Sequence, residues 1–214
     1  TPDGRPVAMV HVNTCTSDLD AWVGMFGQLL EAAGAKLSKS QLYELLYRQA
    51  LSGEPDCGGL VSFNCYSGEP VTGLEEGRPL FVRSPEAKLT LGNFMRAQLY
   101  AAMATLSIGM DLLWKEGVTV EKLYGHGGLF KTKGVGQKLL AGALGVPVAV
   151  METAGEGGPW GMALLPDFLE NHVFAGAAGE QVPPSLEDQE GFGWYIARYK
   201  QALAVEKAAG EALR

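Results

Sequence analysis

The chain has 214 residues, 47% of them hydrophobic, enough for one sizeable core, and no Pro/Ser-rich linker or charge run divides it. Its net charge is −7, with 17 Lys and Arg thinly spread, which argues against the basic footprint that nucleic acid requires. No signal-peptide pattern and no apolar span of bilayer length occurs, so the expectation is a soluble, cytoplasmic protein with no membrane partner.

Taken in order, "RPVAMVHVN" reads as a strand ending near Asn13, with Val7, Met9 and His11 alternating against Ala8, Val10 and Val12. The next segment, "TSDLDAWVGMFGQLLEAAG", places Leu19, Trp22, Val23, Phe26, Leu29, Leu30 and Ala33 at helical spacing. Thr16 or Ser17 can cap that helix, Asp20 suits its first turn, and Gly34 stops it. A second helix follows in "SKSQLYELLYRQAL", and "GLVSFNCY" is a strand candidate. "SGEPVTGLEEGRPLFVRSPEAK" reads as a long loop rich in turns. The longest helix, "LTLGNFMRAQLYAAMATLSIGMDLLWKEG", is dense in Ala and Met and is expected to be buried on several sides. "VEKLYGHGG" runs as strand into Gly turn, "VGQKLLAGALG" as a short helix and "VPVAVME" as a buried strand. "GEGGPWGMALLPDFL" begins another helix, "AGAAGEQVPPSLEDQEGFG" reads as a surface loop, and "WYIARYKQALAVEKAAGEALR" as the terminal helix. Strands alternate with helices, which indicates α/β architecture.

Three cysteines, Cys15, Cys57 and Cys65, lack CxxC or His-rich spacing and read as buried reduced thiols. The chain opens Thr1-Pro2-Asp3-Gly4 with no initiator Met and strand-like sequence close behind, as a fragment of something longer would.

Glycine gathers between apolar segments at two places. Gly125-His126-Gly127-Gly128 precedes a helix over 137–144, and Gly155-Glu156-Gly157-Gly158 precedes the helix from Trp160. Bare backbone lets a ligand lie close, and a helix start offers free N–H groups, an arrangement suited to a nucleotide. Neither turn matches GxGxxG or GxxxxGK[ST]. The alternative is that these glycines only let helix pack tightly on strand.

The stretch "GHGGLFKTKGVGQKLLAGALGVPVAVMETAGEGGPWGMALL" resembles the C-terminal domain of the FGGY carbohydrate kinases, most of all the xylulokinase-related branch. The matching slots are Gly127-Gly128, Lys131-Thr132, Gln137, Gly145-Val146-Pro147-Val148 and Gly161-Met162-Ala163. Upstream, "GLVSFNCYSGEPVTG" is similar to the family's strand ending in a Gly-Glu turn, and "NFMRAQLYAAMATLSIGMDLL" to its long helix with an Arg-Ala pair. The likeness runs over residues 5–210. Three departures stand out. Gly68-Glu69-Pro70 replaces the usual Gly-Glu-Arg, removing a salt bridge. The stretch from Gly128 to Gly145 is a few residues longer than usual. The helix Trp common before the Gln is missing.

The resemblance implies an actin-like, ribonuclease H-like ATPase lobe: a mixed sheet flanked by helices, with residues 1–214 as the C-terminal nucleotide-binding lobe of a two-lobe sugar kinase. It implies ATP and Mg²⁺ as cofactors, with Gly125, His126, Gly127, Gly128, Phe130, Lys131 and Gln137 against the nucleotide. A sugar, a ketose or polyol such as xylulose, would be held by an N-terminal lobe that also supplies the Asp general base, so no catalytic or metal-binding residue is assigned within this chain. A homo-oligomer is expected. The rival reading is a non-catalytic actin-like nucleotide-binding or assembly module.

Single residues have plainer readings beside these. "NTCTS" imitates a phosphate loop but reads better as a helix cap; Lys131 and Lys133 could reach phosphates or simply be solvated; His126 could touch a ligand or its own backbone. Glu152 and Glu156 could order Mg²⁺ through waters, Glu156 more simply capping a turn. Asp18 and Asp20 suit a helix first turn. Arg96 reads as a buried ion-pair partner, and the Met-rich run from Met95 to Met110 as core.

Overall fold

The computed structural model describes residues 4–151, 157–171 and 179–213. Its elements run α1 (Ser17–Ala32), α2 (Lys39–Ala50), β1 (Val61–Phe63), β2 (Leu80–Val82), α3 (Leu91–Lys115), β3 (Leu123–Gly125), α4 (Val135–Leu144), β4 (Val148–Met151), α5 (Gly157–Asn171), β5 (Gly179–Val182) and α6 (Leu186–Ala212). Among the described residues the strands form two sheets. β3 and β4 are parallel, with Leu123 opposite Val148 and Gly125 opposite Val150, and β5 adds to β4 antiparallel. β1 and β2 make a separate antiparallel pair. The larger sheet is therefore mixed, and helices flank both pairs, as the sequence reading expected.

The centre of the core is α3. Residues 92–105 are buried without interruption, because α2, α4, α6 and β1 all pack on this one helix. Met95, Met103 and Met110 lie in that core. Tyr195 from α6 donates its hydroxyl toward the carbonyls of Ser62 and Ala97, tying α6 to β1 and α3 at once. Arg96, the charge within the fully buried stretch of α3, meets Asp188 at 2.9 Å with both side chains buried, so each charge has its counter-ion in the low-dielectric interior.

Local signals fix several helix ends. Ser38 and Gln41 form a reciprocal capping box at the start of α2, and Thr90 caps α3 through the Asn93 N–H. Gly34, at φ +80°, follows α1 in a left-handed conformation that a side chain disfavours. Thr16 occupies the N-cap of α1 but makes no side-chain cap bond. Its neighbour Thr14 points inward instead, bonded to Glu69 and Thr105.

Five expectations are corrected. Residues 5–13 form no strand: no β-ladder joins them to the described residues, and they are mostly exposed, Val7 and Met9 strongly so. The segment is held where it ends, by the Glu69 carboxylate, which accepts the N–H groups of Asn13 and Thr14 at 2.8 and 3.0 Å. Neutral donors thus serve the buried Glu69 of the Gly-Glu-Pro turn. The long loop after β1 contains β2, and part of the later surface loop is β5. α6 starts eight residues before Trp194, at Leu186, since Ser185 caps it through the Asp188 N–H and Asp188 itself is pulled in by Arg96. Of the three thiols, Cys57 and Cys65 are buried while Cys15 is exposed, and all are free.

Candidate functional site

β3 ends at Gly125 against β4, and the chain turns outward there, at the carboxyl end of a parallel strand, where open α/β sheets place their ligands. The glycines of this turn are bare for different reasons. A Cβ at Gly125 would lie 2.6 Å from the Phe130 ring, so Gly125 makes room for a packed neighbour. Gly127 stands at φ +94°, a conformation that favours glycine for itself. Gly128 has neither reason: its φ is not positive, and a Cβ there meets nothing within 4 Å.

The open space beyond Gly128 is a cleft of about 460 Å³, within the range of small-molecule sites. Gly128, Lys131 and Thr132 form one wall. Thr16 at the N-cap of α1, Asp20 within it, and Lys39, Tyr43 and Tyr47 of α2 contribute to the others. Lys131 is exposed at the turn, while Thr132 is buried. Lys39 lies 3.6 Å from Asp20, both well solvated, a weak pair that either residue can leave. Tyr47 is buried, and burial, reinforced by Cys15 and Asp20, pushes its hydroxyl up to about 12, so it stays protonated.

On the other side of the turn lies a second cleft of about 370 Å³, lined by Phe130, Lys133, Gln137, Val150 and Met151 among others. Lys133 reaches across it to Glu180 of β5 at 2.8 Å. Gln137 already has a structural task, because its side-chain oxygen accepts the Gly134 N–H at 2.9 Å and so fixes the start of α4. A broader cleft of about 650 Å³ beside Cys57–Gly59 sits elsewhere, and charges on its wall pair with each other, Lys88 with Glu54 and Arg198 with Asp56.

Of the residues expected at the site, the structure brings Gly128 and Lys131 to the larger cleft and Phe130 and Gln137 to the smaller one. Gly125 is buried, and His126 and Gly127 are exposed on the turn. Glu152, Gly155 and Glu156 lie outside the described residues. Sequence reasoning passed over Lys39, Tyr43 and Tyr47, whose helical spacing looks like any amphipathic helix; only the fold carries α2 to the turn. Among the described residues no three His, Cys, Asp or Glu side chains cluster to hold a metal ion, so no ligand for Mg²⁺ can be assigned here.

The mixed sheet, the flanking helices and the strand that ends in a glycine turn beside a cleft fit an actin-like ATPase fold. The chain belongs to the FGGY family of carbohydrate kinases: residues 1–166 match the family's C-terminal domain. A comparison with curated proteins finds no match. Solved structures similar to the chain include the xylulose kinase of Rhodospirillum rubrum, at TM-score 0.65 and 17% identity over 86% of this chain. The gluconate kinase of Lactobacillus acidophilus aligns at TM-score 0.64 and 15% identity over 79% of the chain and 35% of that protein. The glycerol kinase of Plasmodium falciparum, solved with ADP, aligns at TM-score 0.55 and 15% identity over 86% of the chain and 37% of its own. The chain also spans 37% of the Rhodospirillum enzyme. No described helix is long and apolar enough to cross a membrane.

Proposed function

We propose that the chain is the ATP-binding half of a carbohydrate kinase, the C-terminal lobe of a two-lobe enzyme that transfers the γ-phosphate of ATP to a sugar hydroxyl. One observation carries this reading: the family's C-terminal domain runs through the turn at 125–131, and there Gly128 is bare toward a cleft that no protein atom explains. ATP would lie along Gly127 and Gly128 with its phosphates toward the solvated Lys131, and Gly125, His126, Phe130 and Gln137 would shape the turn around it. Mg²⁺ would enter with the phosphates of ATP, no residue here being assigned to hold it. An N-terminal lobe would bring the sugar, a ketose or polyol, and the Asp that accepts its hydroxyl proton. Phosphoryl transfer depends mostly on positioning and charge stabilisation, so one lobe alone lacks half of what the reaction needs. The reading assigns the enzyme to the cytoplasm and to a homo-oligomer.

The test is ADP release by the two-lobe enzyme and by this chain alone, across ketoses and polyols with D-xylulose included. Sugar-dependent release is expected from the intact enzyme and none from the isolated lobe. Sustained sugar-dependent turnover by repurified lobe, or no turnover with any sugar by the intact enzyme, would overturn the reading.

A further inference from the structure

The cleft beside Gly128 has a second wall whose chemistry differs from that of the turn. α2 presents Tyr43 there, half-buried, with Tyr47 one helical turn later. The two rings meet edge to face, centroids 5.7 Å apart at 74°, and Tyr47 is itself buried, so Tyr43 is braced from behind. The Lys39 ammonium stands 5.8 Å from the Tyr43 ring centroid on a side chain that is 75% exposed. A cation held that loosely can leave the ring face when something flatter and less hydrated arrives. In the same cleft, the Gly128 backbone leaves its Cβ space open.

We propose that Tyr43 is the platform on which the nucleotide base stacks, with the base between the Tyr43 ring and the bare backbone at Gly128. The proposal rests on the nucleotide reading of this cleft and adds to it a residue that determines base preference. An aromatic face held by a buried partner suits a flat heterocycle, and stacking grows with the area of the ring laid on it. A purine covers more of Tyr43 than a pyrimidine does. The solvated lysines of the cleft, Lys39 and Lys131, remain free to turn toward the phosphates at its mouth, and they contribute equally whatever the base.

Ligand-observed NMR titrations of the chain with ATP and with UTP separate these contributions. The wild type should bind ATP more tightly than UTP. Tyr43→Leu should weaken ATP roughly tenfold, the order expected for loss of one base–aromatic stack, while UTP falls much less, so the preference collapses. Tyr43→Phe should keep it. A Tyr43→Leu variant that loses both nucleotides equally, or neither, overturns the proposal, as does a wild type that does not distinguish them. If Tyr43→Leu fails to fold, intermolecular NOEs from the adenine H2 and H8 protons to the Tyr43 ring of the wild type decide: their presence supports the stack and their absence rejects it. The two claims fail separately. Binding lost in Gly128→Val with an unchanged ATP-to-UTP ratio in Tyr43→Leu rejects the platform and leaves the site standing, whereas a wild type that binds neither nucleotide rejects both.

Discussion

Glu206 lies wholly buried on α6, where one carboxylate oxygen accepts the backbone N–H of Arg78 at 2.7 Å and the other has no hydrogen-bond partner. Burial holds this carboxyl above the usual carboxylate range, against the opposing pull of the Arg78 N–H and guanidinium. The folded chain therefore binds this proton more tightly than the unfolded chain does. Its contribution to stability is fully present below the unfolded carboxyl value of about 4.3 and fades as pH rises through the higher folded value. Glu206→Gln keeps an oxygen for Arg78 and removes the buried charge. Urea midpoints of variant and wild type should thus lie close together near pH 4, with the variant the more resistant near pH 8; a gap of the same size at both pH values would contradict this account. Residues of this kind are only half legible in sequence. Arg96 could be read as a buried pair member because it interrupts an apolar helix, but its partner Asp188 lies 92 positions away and no local pattern points to it.

At the scale of elements, the long helices were legible from spacing and caps, while β2 and β5 lie inside segments whose Gly, Pro and Ser residues read as loop. The extent of α6 was hidden for a different reason. Gly191 and Gly193 in "EGFG" look like loop punctuation, yet both lie inside the helix. Gly191 sits where α6 passes over Pro55, and a Cβ there would run into both the ring and the backbone of that residue. Arg198, two turns on, binds the Asp56 carbonyl and carboxylate and presses the helix against the same segment. Gly193 faces open space. The two positions should respond in opposite directions to the same change. Gly193→Ala should stabilise the protein by about 0.5–1 kcal/mol through helix propensity alone. Gly191→Ala gains the same propensity but should lose roughly 1–3 kcal/mol to overpacking against Pro55. Thermal melts of the two variants beside wild type check this, and a stabilised Gly191→Ala would mean that α6 does not pass Pro55 so closely.

At the scale of the whole molecule, the mixed sheet and the glycine turn were readable because order and spacing of several segments agree with one another, which no single motif here achieves. The cleft was not. Its walls come from α1, α2 and the turn after β3, segments more than a hundred residues apart at the extremes, and only the packing of these helices around α3 brings Tyr43 and Gly128 to one cleft. Residues 5–13 show the converse: their alternation is that of a strand, but a strand needs a ladder partner, and none of the described residues offers one. Binding of ATP at the turn is the claim on which the rest depends, and calorimetric titration of ATP into the wild type and into Gly128→Val tests it most directly. The account predicts weak but measurable binding by the wild type and its loss in the variant, whose Cβ would enter the open space with no protein atom within 4 Å of it. Unchanged ATP binding in a folded Gly128→Val protein would contradict it and place the nucleotide elsewhere.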